Sequence, residues 1–155
     1  MSGCAGYTLG PSKPTIMAGV ESIGVPIVEN QTYLPRVETL TTTAIIRHFQ
    51  TDGTYRIESP SVADATLFVV IEAVNRAPAR SIRGNVLGTS EFFLEVVASY
   101  RLIRERTGQE IMAGSVRGTT SFFVTGEIVM DQEQAFPYAA EQVAKEIVNR
   151  ISEGW

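Results

Sequence analysis

The chain has 155 residues, 44% hydrophobic and 19% charged, which fits one domain with a real core and excludes a disordered chain. Cys4 is the only cysteine, so an intrachain disulfide is excluded, and a formal net charge of −4 excludes a general nucleic-acid binder. No apolar run reaches the roughly 18 residues of a membrane-spanning helix. The charge is unevenly placed: residues 76–117 carry a balance of +3 and the remainder −7. A basic middle in an acidic chain points to one anionic partner at one place.

The chain opens with Ser2 and Gly3 before Cys4, then Ala5-Gly6-Tyr7. Small residues directly before a cysteine look like the end of a bacterial lipobox, where the cysteine becomes lipid-modified. Residues 1–3 would then be the remnant of a signal peptide, and the other reading is a stray cysteine in a loose terminus. Pro11 and Pro14 stiffen residues 10–14 into an extended tether. Residues 1–20 are therefore expected to be anchor remnant and tether, and 21–155 a single folded domain.

Residues 22–28 alternate, with Ile23, Val25 and Ile27 on one face, and predict a strand that Pro26 pushes toward an edge or a bulge. Asn30-Gln31-Thr32 is a turn, and Pro35 suits the first position of a helix over 36–50. Asp52-Gly53 ends that helix, and 54–59 is a short strand. A longer strand covers 65–76, with Leu67, Val69, Ile71 and Ala73 on one face. Another covers 89–104, with Phe92, Leu94, Val96, Ala98, Tyr100 and Leu102 aligned. Arg106-Thr107-Gly108-Gln109 is a hairpin turn, and 110–124 is the returning strand, where Gly114 and Gly118 are candidate bulges. Asp131-Gln132-Glu133-Gln134 has the pattern of a capping box before a final helix, with Pro137 near its start. The order predicts an α+β fold, a two-layer sandwich with two helices packed on one face of a mixed four- to five-stranded sheet.

Several segments together resemble the lipopolysaccharide-assembly lipoproteins of the LptE family. They are Cys4-Ala5-Gly6-Tyr7-Thr8-Leu9, the run from Ile23 to Thr32, Leu40-Thr41-Thr42-Thr43-Ala44-Ile45, and Ala63-Asp64-Ala65 followed by Ile71 and Asn75-Arg76. The resemblance covers nearly the whole chain and departs from the family start by the alanine between Cys4 and Gly6. It implies a lipoprotein at the periplasmic face of the outer membrane, anchored through Cys4. It further implies binding of lipopolysaccharide and a place as a plug inside an LptD-type β-barrel, with neither catalytic residues nor a cofactor. An alternative shares the early strand, turn and helix: a periplasmic lipoprotein that activates a penicillin-binding protein. The long strands over 65–124 and the arginine-bearing loop fit the first reading better.

No residue set suggests catalysis. His48 is the only histidine and Cys4 is terminal, so a zinc site is not expected, and no serine or threonine has a histidine arranged beside it. His48 reads as a helix-surface or core residue. Arg76, Arg80 and Arg83 surround a predicted loop at 77–82, where guanidinium forks would suit the phosphates of lipid A. The plainer reading is solvated loop charge. Arg101 and Arg117 lie on adjacent predicted strands and could face one another, a costly pairing unless an anion neutralises them. Phe68, Val70, Val74, Phe93 and Val97 alternate out of register with the core set. Two helices cover one sheet face, so Phe68, Val70, Phe93 and Val97 are expected to meet a partner or acyl chains.

Overall fold

Only the first three residues of the strand expected over 22–28 form one, and Asn30, expected in a turn, belongs to a second short strand. In the computed structural model, which describes residues 13–80, 90–124 and 128–154, β1 is Ser22–Gly24 and β2 is Glu29–Asn30. Between them the Val28 amide leaves the ladder and donates to the Thr42 hydroxyl at 2.9 Å. The remaining strands are β3 (Arg56–Glu58), β4 (Ala65–Arg80), β5 (Ser90–Arg104) and β6 (Glu110–Val124), and the helices are α1 (Val37–Asp52) and α2 (Ile128–Glu153). They form one open six-stranded sheet in the order β3-β1-β4-β5-β6, with β2 also beside β4. β1 and β2 run parallel to β4, whereas β4, β5 and β6 form an antiparallel meander. The fold is an α+β two-layer sandwich with both helices on one face. The strand beyond the expected count is β2, and β1 is interior rather than at an edge.

Local chemistry explains where the elements start and stop. Asn30 Oδ1 accepts from the Thr32 amide and hydroxyl, and Asn30 Nδ2 donates to the Leu34 carbonyl and to Glu38, so one side chain ties the turn to α1. The chain leaves that turn through Arg36 in the left-handed region (φ 68°), so α1 begins at Val37 and Pro35 stays outside it. Gly53 (φ 73°) closes α1 as expected, its amide donating to the Phe49 carbonyl. The capping box at Asp131 is not used: α2 starts at Ile128, which puts Asp131 inside its first turn, where a carboxylate still favours the helix dipole. Asp64 Oδ2 accepts from the amides of Glu21 and Ser22 and from the Ser22 hydroxyl, joining the entries of β1 and β4. Those bonds, the Glu21 amide first, hold its carboxyl below the usual range.

The core lies between the sheet and the helices. Leu67, Val69 and Ile71 of β4 and Leu94, Val96 and Leu102 of β5 meet Ala139, Val143, Ala144 and Ile147 of α2 and Ile45 and Phe49 of α1. Met17, at the end of a 3-10 turn over Thr15–Met17, and Val20 after it are also fully buried, so packing reaches into the segment expected to be tether.

Two irregularities in β4 change the expected faces. The register slips between Ile71 and Ala73, so Ala73 turns outward opposite Val97, and Val74 turns inward opposite the buried Val96. The strand also continues through the expected arginine loop to Arg80, with a second slip between Pro78 and Arg80. Pro78 is tolerated there because β1 and β2 flank only the first part of β4, leaving this end as an edge where an amide is not needed.

The glycines of β6 are not bulges, since the β5–β6 shift falls between Leu102 and Ile103 instead. Gly118 permits close approach: a Cβ there would stand 2.1 Å from the Ala139 carbonyl oxygen of α2. At Gly114 its nearest neighbours would be side-chain atoms of Tyr100, at 3.1 Å. Gly118→Ala should therefore cost about 1–3 kcal/mol in urea unfolding, because a helix backbone must move. Gly114→Ala should cost less, because a side chain can give way. Equal losses would show that the α2 contact at Gly118 is not special.

Candidate functional site on the open sheet face

Side chains of paired antiparallel residues share a face, so the ladder fixes what the uncovered side presents. β5 has no extra residue, and its odd-numbered positions from Glu91 to Arg101 all point away from the helices. Phe68 sits in a row with Arg101 and Ala113, and Val70 with Ser99 and Ser115. Ala73, Val97 and Arg117 form the next row, and Ala77, Phe93 and Ser121 lie further on. Phe123 lies opposite Glu91, diagonal to Phe93. Phe68 is 48% exposed, Phe93 51% and Phe123 55%, and Val70 and Val97 between them are half-buried. The result is an oblique run of apolar residues from β4 to the end of β6, interrupted between Val97 and Phe93 by the polar row Asn75, Glu95 and Thr119.

All four residues expected on a partner face, Phe68, Val70, Phe93 and Val97, lie on this stripe. Phe123 was missed, although its spacing from Arg117 along β6 gives it the same face. The arginines divide. Arg101 and Arg117 are on the open face but do not oppose one another: Arg101 lies opposite Ala113 and Arg117 opposite Val97. Arg101 is neutralised by Glu110, Nε to Oε2 at 2.8 Å. Arg117 is exposed and has no ion pair among the described residues. Arg76 turns to the helix side through the β4 slip, donating from Nη1 to Gln132 Oε1 at 2.9 Å and lying over the Phe92 ring. Arg80 belongs to β4 opposite Glu91, and Arg83 and Cys4 fall outside the described residues. A shallow cavity of about 230 Å³ on the open face is lined by Glu29, Phe68, Val70, Ser99 and Arg101, placing apolar and charged groups side by side. Such a surface suits an amphiphile or an apolar protein face with an acidic group.

Among the described residues no group of His, Cys, Asp and Glu could hold a metal ion, and no helix is long and apolar enough to cross a membrane. His48 is half-buried and joins the helices. Its Nε2 stands 2.8 Å from Glu141 Oε2 on α2, and Arg47 pairs with the same carboxylate.

Residues 20–151 match a family model described as LptE, lipopolysaccharide-assembly. No curated protein matches the chain. Solved structures of the same fold include a protein from Xanthomonas campestris (14% identity, TM-score 0.60, covering 94% of this chain and 90% of that one). A second is the PelC dodecamer from Paraburkholderia phytofirmans (14%, 0.54, 91% and 93%). A third is a hypothetical protein from Chlamydia trachomatis (10%, 0.60, 86% and 96%). At these identities the likeness establishes the fold alone.

The helix junction yields a pH dependence. Partial burial of His48, then the charges of Arg47 and Lys145, hold its imidazole below the ordinary 6.5, so at pH 7 it is neutral and Nε2–H donates to Glu141. A folded state that resists protonation loses stability as pH falls below the unfolded value and keeps it in full above. His48→Gln, which can still donate to Glu141, should retain more of its pH 7 stability at pH 5 than the parent in urea titrations. Parallel pH profiles for the two would remove His48 from the account.

Proposed function

Since the chain belongs to the LptE lipopolysaccharide-assembly family, we propose that it is a lipid-anchored subunit of the outer-membrane lipopolysaccharide transport machinery, acting by binding and not by catalysis. Its open sheet face seats inside an LptD-type β-barrel at the periplasmic side and holds lipopolysaccharide there. The observation that carries this reading is the set of three half-exposed phenylalanines on a face that neither described helix covers. An apolar patch of that kind favours a partner over water. Arg101 and Arg117 beside the stripe serve the anionic headgroup, and Arg117, the one without an ion pair among the described residues, is the stronger of the two. Arg76 contributes to the helix contact instead.

Phe93→Asp should greatly reduce co-purification with the barrel protein from detergent-solubilised outer membranes while leaving the thermal unfolding of the isolated domain nearly unchanged. In the same preparation, Arg101→Gln combined with Arg117→Gln should keep the barrel and retain less lipopolysaccharide. Unfolding of Phe93→Asp, or full barrel recovery with it, would end this assignment of the face. Attachment to the membrane is proposed to pass through Cys4. Mass spectrometry of the protein exported behind a lipoprotein signal should find acyl chains on a cysteine at the mature amino terminus, and an unmodified Cys4 would remove the anchor from the model.

A further inference from the structure

The two lateral edges of the sheet are built differently. At one, β3 is three residues long, has an ion pair between Arg56 and Glu58, and is followed by Pro60, all features that blunt an edge. At the other, β6 runs for 15 residues with β5 on one side and, among the described residues, no strand on the other. From Ile111 to Val124 it holds one charged residue, Arg117, and no proline.

The ladder tells which backbone groups are bare. In an antiparallel pair each residue turns its N–H and C=O together, alternately toward and away from its neighbour. Arg150 of α2 donates from Nη1 to the Ser115 carbonyl at 3.2 Å, which places Ser115 among the residues facing outward. Arg117, Thr119, Ser121 and Phe123 follow at two-residue intervals, with no register shift between them. Arg150 satisfies the edge at Ser115, and no described group satisfies it beyond that point.

We propose that the stretch of β6 from Arg117 to Phe123 is a docking edge for one extended strand of another polypeptide, carrying a carboxylate opposite Arg117 and an apolar side chain opposite Phe123. A row of alternating donors and acceptors at strand spacing is satisfied by a strand and by little else. Arg117 supplies the charge that selects the acid. At the far end a recess of about 530 Å³, bounded by Ser121 and Phe123 on one side and by Gln134, Ala135 and Tyr138 on the other, admits a side chain from the strand's second face. A second copy of this chain fits worse, because α2 lies directly on β6 at Gly118. Edge-to-edge pairing would set two copies of α2 side by side across the new seam, so it would also have to pack helix on helix. A lone strand brings no helix.

The test uses the full chain with Cys4→Ser and a synthetic ten-residue peptide of alternating valine and threonine, with a central glutamate and a phenylalanine near one end. Binding should slow amide hydrogen exchange at Arg117, Thr119, Ser121 and Phe123 roughly tenfold or more. N-methylation of the alternate peptide amides that face β6 should abolish binding, and methylation of the other set should not. Thr119→Pro removes an outward amide that β5 does not use, so it should weaken the peptide roughly tenfold or more with an unchanged melting curve. Equal effects of the two methylation patterns, or unchanged exchange at the four residues, would overturn the proposal. So would a concentration-dependent dimer of the parent that Thr119→Pro abolishes, since that gives the edge to a second copy. Phe93→Asp, on the face and not at the edge, should bind the peptide normally.

Discussion

The missing side chain at Gly118 lets α2 lie against the last strand of the sheet, and much of the surface follows from that contact. A methyl group would collide with the Ala139 carbonyl oxygen, so the helix could not reach this depth over β6 with any other residue there. With α2 seated over β5 and β6 and α1 over the other side of the sheet, both helices occupy one face. Six strands then have a single cover. The opposite face has to stand in water or against something else, and among the described residues only Arg150 reaches the edge beyond β6.

The slip after Ile71 decides which side chains share that outer face. Without it Val74 would point outward and Arg76 would not reach Gln132 of α2. With it, Val74 joins the core, Ala73 takes the outer place beside Val97, and Arg76 becomes part of the sheet–helix contact. The basic middle of the chain is thereby divided between two faces, and among the arginines with described side chains Arg101 and Arg117 lie beside the phenylalanines. Of these, Arg101 has already given much of its charge to Glu110. Of these two, Arg117 is the one without an ion pair among the described residues.

Much of this was legible beforehand because it depends on short-range chemistry. The strand alternation over 89–104, the hairpin glycine at 108 and the closing glycine at 53 each act through one or two residues, and each appears where the pattern put it. The LptE resemblance likewise agrees with the family match over 20–151. What failed depends on partners far along the chain. The slip at Ile71 is a property of a pair of strands, so alternation read along one strand carried Val74 to the wrong side and left Arg76 beside a loop. Pro78 read as a loop because the strand that would have needed its amide ends before reaching it. Asp131 read as a cap, whereas α2 starts at Ile128. Gly118 read as a bulge because nothing local says that a helix crosses above it.

Magnitudes argue that the phenylalanine stripe does not act alone. A phenylalanine about half exposed has on the order of 100 Å² left to bury, worth about 2–3 kcal/mol at 25 cal/mol/Å². Three such residues give roughly 6–9 kcal/mol before any loss, against about 4–15 kcal/mol for giving up free motion on association. The balance is close to zero, so the face by itself would hold a partner weakly. Two other features change it without enlarging the patch. An anchor at Cys4 would confine the domain near the membrane and remove part of the translational loss, and a strand along β6 would add directional hydrogen bonds next to Phe123. Because Arg117 and Phe123 have their side chains on the face and their backbone groups on the edge, a partner that uses both would meet them as one continuous surface. On these two proposals the face would select an apolar, acidic surface and the edge beside it would hold that surface in place.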